Sequence, residues 1–282
     1  MYWEIKVLQT LENIRTPLLT ALMETITFLA ESIFLVILIA TIYWCIDKKK
    51  GARLAWIVLG SGVINGVFKN IFRAPRPFQK GVTTPLRLET ATSYSFPSGH
   101  TQSATTFWVI FYRLNRQRII QCVGIIIVLL TALSRLYLGV HWPVDVIAGI
   151  IMGLISVSIL DLLYDEEQGF TKNHVLITTA LLIVMVILPI ESDLHKLIGA
   201  LWGLVIGGYY ERKYIQFNTE GNWKDQFLKM LIGGIGLIGI YVLLDTLLPD
   251  YSLMGMIKYA GVLLWIAAGA PYLFKHMIMK KK

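Results

Sequence analysis

Three short stretches hold the residues that can do chemistry. Lys69-Asn-Ile-Phe-Arg-Ala-Pro-Arg76-Pro77 sets two cations on either side of a proline-containing break. Phe96-Pro97-Ser98-Gly99-His100 places a titratable ring just after two small residues. Ser134-Arg135 is followed after five residues by His141, and then by Asp145. Three fixed cations suit a multiply charged anion. Two histidines suit opposed roles as acid and as base or nucleophile. A carboxylate that accepts a hydrogen bond from one imidazole nitrogen fixes the tautomer and leaves the other nitrogen free to attack. Together they point to phosphoryl transfer, where catalysis is positioning plus neutralisation of charge on the equatorial oxygens. No Asp/Glu cluster with Mg²⁺-type spacing accompanies them, so no metal and no cofactor are expected.

Taken singly, each stretch has a plainer reading. Lys69 falls in the last turns of an apolar run, and Pro75 and Pro77 stop the helix near Phe72, so Arg76 sits on an extended segment. Both cations can then reach one anion at the membrane edge, although two snorkelling cations at a helix end would look the same. Pro97 suits the first position of a helix, leaving the N–H groups of Ser98 and Gly99 unpaired and aimed outward, where they attract anions. A histidine capping an interface helix is the commoner reason for such a tetrapeptide. His-x-x-x-Asp is frequent by chance. The conjunction is what these readings leave unexplained: cations, histidines, carboxylate and helix start recur in order at the mouths of four consecutive apolar runs.

Those runs set the fold class. Hydrophobic residues make up 55% of the 282 and charged residues 16%, and a soluble domain with that balance could not cover its surface. Only helices and closed barrels cross lipid with every backbone group satisfied. Long runs such as 227–248, broken only by Lys229 and Asp245, are long enough to do so as helices. The expectation is an all-α polytopic bundle with about nine spans: 31–46, 53–72, 98–111, 119–138, 144–163, 175–190, 194–208, 227–248 and 254–274. Before them, 1–14 carries Trp3, Val7, Leu11 and Ile14 on one helical face, as in a helix lying on the interface. The apolar 17–31 holds Glu24 and Glu31 and reads as a re-entrant or an interfacial piece.

The formal charge of +8 does not form one dense patch, which argues against a nucleic-acid partner. Sixteen of the 26 basic residues gather on one side, among them Lys48–Lys50, Arg113, Arg116, Arg118, Lys229 and Lys280–Lys282. By the positive-inside rule that side and the C-terminus are cytoplasmic, and 73–97 and 139–143 lie outside, so the site faces outward from the plasma membrane. The first fourteen residues lack the pattern of a cleavable signal peptide. Cys45 and Cys122 have neither metal nor redox spacing. Gly234-Ile-Gly236-Leu-Ile-Gly239 matches a dinucleotide fingerprint in letters only, since no strand precedes it; it reads as a close-packing face.

The pattern Lys-x6-Arg-Pro, Pro-Ser-Gly-His, Ser-Arg-x5-His-x3-Asp resembles the type 2 phosphatidic acid phosphatase superfamily in all three signature parts. The resemblance covers Lys69–Asp145 in its motifs and implies an integral membrane phosphatase for a lipid phosphate ester or lipid diphosphate. It implies that His141 is the nucleophile forming a phosphohistidine, that Asp145 orients it, and that His100 is the general acid. Lys69, Arg76, Arg135, Ser98 and Gly99 would hold the phosphoryl oxygens. The chain then divides into an interfacial segment 1–30, a phosphatase core 31–164 and a transmembrane extension 165–282. The extension suits packing, lipid binding or assembly into a homo-oligomer. A phosphotransferase, a sugar-phosphate phosphatase, or a transporter or scramblase that keeps the pocket only to bind phosphate would use the same residues.

Overall fold

The computed structural model describes residues 2–187, 192–249 and 251–278, and among them regular structure is helical, with no strand. Helix α1 (Tyr2–Asn13) leads to α2 (Pro17–Phe28), where Thr16 accepts a hydrogen bond from the Leu19 N–H and Pro17 takes the first position. After α3 (Ser32–Thr41) and a wider π turn (Ile42–Ile46) comes α4 (Lys48–Phe72), which ends three residues before Pro75. The site-bearing helices follow as α5 (Gly99–Asn115), α6 (Arg118–Tyr137) and α7 (Pro143–Leu162). Beyond them lie α8 (Lys172–Ile187), α9 (Ser192–Tyr210), α10 (Trp223–Leu247), α11 (Ser252–Leu264) and α12 (Ala270–Met277).

Five of these are long and apolar enough to cross a bilayer: α4, α6, α7, α10 and the continuous Ser252–Met277. They become six if Pro17–Phe28 and Ser32–Ile46, bent at their junction, make one crossing. The expected count of nine is therefore not reached on length and composition among the described residues. The shortfall has a physical cause in α5, which carries Thr101, Gln102, Ser103, Thr105 and Thr106 and is apolar only on part of its surface. In α9, Asp193 and Lys196 lower the hydropathy of the first turns. The end of the 175–190 run and Lys280–Lys282 lie outside the described residues.

The chain forms two compact units. The first comprises residues 1–35 and 60–160. In it α5 and α6 form an antiparallel pair, and α1 and α2 pack on α6. Two glycines let α7 approach α5: a Cβ at Gly149 would lie 2.8 Å from the Ser98 carbonyl oxygen, and one at Gly153 would lie 2.7 Å from the Thr105 Cβ. Between α4 and α5 runs a buried polar ladder. Asn65 donates to Gln102 Oε1 (2.8 Å), Gln102 donates to the Ser61 carbonyl (2.9 Å), and the Ser61 and Thr106 hydroxyls are 2.8 Å apart. The α5 residues that look too polar for lipid are thus turned to protein.

The second unit comprises residues 36–59 and 161–282. Here α9 lies against α11 with Gly199 and Gly203 pressed on the Met256 and Ala260 backbone. The fingerprint-like glycines split: Gly236 makes room for the Trp265 ring, while Gly234 and Gly239 face open space. Lys229, counted above with the cytoplasmic cations, is fully buried and donates to the carbonyls of Asn218, Thr219 and Glu220.

Candidate active site

All eight residues singled out by the sequence fall in the first unit. Lys69 sits in the last turn of α4 and donates to Ser93 Oγ (2.8 Å) and the Tyr94 carbonyl (2.5 Å). Arg76, on the extended segment beyond, donates through Nε to the Ser93 carbonyl (2.7 Å) and through Nη1 to the Val140 carbonyl (2.8 Å). The same Nη1 lies 3.2 Å from His141 Nε2. Arg135, in the last turn of α6, is completely buried, with Nη1 donating to Thr27 Oγ1 (3.0 Å) and both Nη atoms 3.3 Å from Thr90 Oγ1.

His141 lies in the short connection between α6 and α7, and Pro143 opens α7, which puts Asp145 in its first turn. Asp145 Oδ2 receives three groups: Ser95 Oγ (2.5 Å), the Trp142 N–H (2.8 Å) and His141 Nδ1 (3.3 Å). The carboxylate is thereby fixed, and it selects the tautomer with hydrogen on Nδ1. The His141 Nε2 lone pair then faces the Arg76 N–H. Burial pushes the His141 pKa well below its ordinary value, with Arg76, Arg135, Lys69 and His100 adding to the effect in that order. Those four groups are all close enough to act on one imidazole.

Where α5 starts, the structure differs from the expectation. Pro97 precedes the helix, and Ser98 is its cap residue. The Ser98 N–H is not aimed outward; it donates to the Asp145 carbonyl at 3.0 Å, and the Ser98 hydroxyl lies 3.0 Å from Thr101 Oγ1. The cause is the close α5–α7 approach at Gly149. The first-turn N–H groups, which have no acceptor within a helix, are therefore those of Gly99, His100 and Thr101. His100 Nε2 is buried without a hydrogen-bond partner among the described residues, as is Arg135 Nε.

Sequence reasoning missed Thr27, Thr90, Ser93, Ser95 and Asn65. Asn65 donates to the Pro97 carbonyl at 3.3 Å and so holds the turn that leads into Gly99. Trp142 donates to the Pro75 carbonyl at 3.0 Å. Among the described residues no three His, Cys, Asp or Glu side chains are grouped as metal ligands.

The chain belongs to the PAP2 superfamily. Residues 50–168 match that family, and residues 195–282 match the PAP2 superfamily phosphatase transmembrane extension. Phosphatidylglycerophosphatase B of Bacillus subtilis is 34% identical over 173 residues, covering 57% of this chain and 79% of that protein. An undecaprenyl-diphosphatase of Sulfolobus acidocaldarius is 37% identical over 106 residues, covering 38% of this chain and 51% of that protein. A probable sphingosine-1-phosphate phosphatase of Dictyostelium discoideum is 28% identical over 168 residues, covering 55% of this chain and 41% of that protein. The chain thus spans about half the length of the last two relatives. A solved PAP2-type phosphatidylglycerolphosphate phosphatase from Bacillus subtilis superposes with a TM-score of 0.49 at 28% identity, over 57% of this chain and 83% of that one.

Proposed function

We propose that the chain is an integral membrane phosphatase that hydrolyses a lipid phosphate monoester or a lipid diphosphate through a phosphohistidine, without a metal. One observation carries the reading. Two buried polar atoms, Arg135 Nε and His100 Nε2, lack partners among the described residues, beside a histidine whose free nitrogen is already selected by Asp145. Orphaned buried donors are costly, and a phosphoryl oxygen or a leaving oxygen supplies what each lacks.

In this reading His141 Nε2 attacks phosphorus while Lys69, Arg76, Arg135 and the Gly99 N–H neutralise the equatorial oxygens. Ser98 supports them by holding the start of α5. As the P–O bond breaks, His100 donates its proton to the departing alkoxide or lipid phosphate. It then takes a proton from the water that attacks the phosphohistidine, releasing inorganic phosphate and restoring both imidazoles. A lipid substrate is supported by the site's position at the helix ends, and by relatives named for lipids as different as undecaprenyl diphosphate, phosphatidylglycerophosphate and sphingosine-1-phosphate. Those names share a phosphate and differ in the alcohol, so the reading commits to the phosphate and not to the alcohol.

Taking the bent α2–α3 pair as one crossing and adding α5, α8 and α9 to the long helices gives nine spans, with α2 joined to the first span expected at 31–46. It leaves the site outside the plasma membrane and the C-terminus in the cytoplasm. The decisive experiment is purification and assay against a panel of lipid phosphates and water-soluble phosphate esters, with EDTA, vanadate and His141→Ala arms. Lipid-selective, EDTA-resistant, vanadate-sensitive release of phosphate that vanishes in His141→Ala is expected. Loss in EDTA restored by a divalent ion, or cellular function intact in His141→Ala, would overturn the mechanism. Running the assay in ¹⁸O-water separates hydrolysis from transfer to another acceptor.

A further inference from the structure

The geometry points to Thr27, in a segment that precedes the matched family region, as the positioning residue for the phosphate-binding arginine. The inference rests on the phosphatase reading, because it concerns Arg135 as a ligand of the phosphoryl group.

A completely buried guanidinium has five N–H donors to satisfy, and each one left bare is costly. For Arg135 the acceptors on its Nη edge are two threonine hydroxyls, Thr27 at 3.0 Å and Thr90 at 3.3 Å. Nε has no partner. The guanidinium is rigid and planar, so fixing its Nη edge fixes where Nε points. Neutral acceptors suit this task. A carboxylate in their place would hold the plane equally well but cancel the charge that the substrate needs.

Thr27 is itself held rigidly. It is completely buried on α2, beside Met23 and Ile26, which pack with Tyr137 and Leu138 at the end of α6. Thr20, two turns earlier, meets the Tyr137 hydroxyl at 2.9 Å. Arg15 joins α1 and α2 to the same place, donating to the Tyr137 carbonyl (2.7 Å) and to the Thr84 carbonyl (2.7 Å) in the segment that leads to Thr90. The first two helices are therefore fastened to the α6 end that carries Arg135. Residues 50–168 alone lack one of the acceptors that aim it.

The test uses the full chain in a lipid nanodisc, with the lipid phosphate that the panel identifies. Thr27→Val keeps shape and removes the acceptor, and KM and the vanadate inhibition constant should rise together by about ten-fold. Thr27→Ser should restore both. Thr25→Val, a control on the same helix whose exposed hydroxyl donates to the Ala21 carbonyl of α2 itself, should leave both unchanged. Arg135→Gln should lose more than any of these. Should Thr27→Val fail to fold, Thr27→Cys offers a weak acceptor of similar size and gives the same contrast with Thr27→Ser. Unchanged constants in a folded Thr27→Val, or an equal rise in Thr25→Val, overturn the inference and leave the phosphatase reading standing. An Arg135→Gln with unchanged constants overturns the reading itself.

Discussion

An imidazole attacks phosphorus only as the free base, so the role proposed for His141 depends on how strongly its surroundings resist a proton. Burial is the largest influence and lowers its pKa, and the neighbouring cations lower it further. In the free enzyme the nucleophilic form therefore persists below the ordinary histidine value of about 6.5. The acid limb of kcat/KM should lie below that pH, and a limb above it would contradict the assignment. The same shift couples to stability. A histidine held neutral in the fold contributes stability above its unfolded pKa, and that contribution is lost as pH falls through the lower folded value. Asp145→Asn tests the other half of the pair. It cannot take the Ser95 hydroxyl, the Trp142 N–H and the His141 N–H on one oxygen as the carboxylate does. The alternative tautomer should then prevail, with kcat falling by about 10⁴-fold and the chain still folded.

The histidine–aspartate pair was legible in the sequence because one short turn and Pro143 hold its spacing. Thr27 and Ser95 were not, since they meet Arg135 and Asp145 across 108 and 50 positions and neither residue type announces itself. At the level of helices, the close approach of α7 to α5 was equally hidden. Gly149 looked like any glycine in an apolar run, yet its Cα lies where a side chain would press on the Ser98 carbonyl, and that carbonyl begins the turn carrying Gly99 and His100. Gly149→Ala should push the start of α5 away from Asp145 and lower kcat/KM by up to about 10²-fold, since small misplacements of catalytic groups are costly. Gly234→Ala faces open space within its helix and should be neutral or slightly stabilising, by up to about 1 kcal/mol. Thermal melts and kinetics on the two variants separate a contact effect from a glycine effect. Polar helix α5 shows why the span count was harder than the fold class: its Thr and Gln residues are spent on Ser61, Asn65 and each other, and hydropathy cannot see a partner.

For the whole chain, the question is which side of the bilayer the site occupies. Helix α5 has 17 residues and α6 has 20, lengths of about 25 and 30 Å at 1.5 Å per residue, close to the hydrocarbon thickness. His100 and Arg135 stand at one end of this pair, and the turn with Arg113, Arg116 and Arg118 stands at the other. On the proposed topology the site and the arginine turn lie on opposite faces, with the turn in the cytoplasm by the positive-inside rule. Cysteine accessibility tests this directly. With Cys45 and Cys122 replaced by alanine, Gln117→Cys and Lys80→Cys each place a thiol at an exposed position, one beside the arginine turn and one in the loop on the site side. A membrane-impermeant maleimide added to intact cells should label position 80 and not 117, and permeabilised cells should label both. Labelling of 117 alone would turn the protein over, with a substrate drawn from the inner leaflet. Equal labelling of both in intact cells would mean that α5 and α6 do not cross the membrane, and the site would no longer sit at headgroup depth.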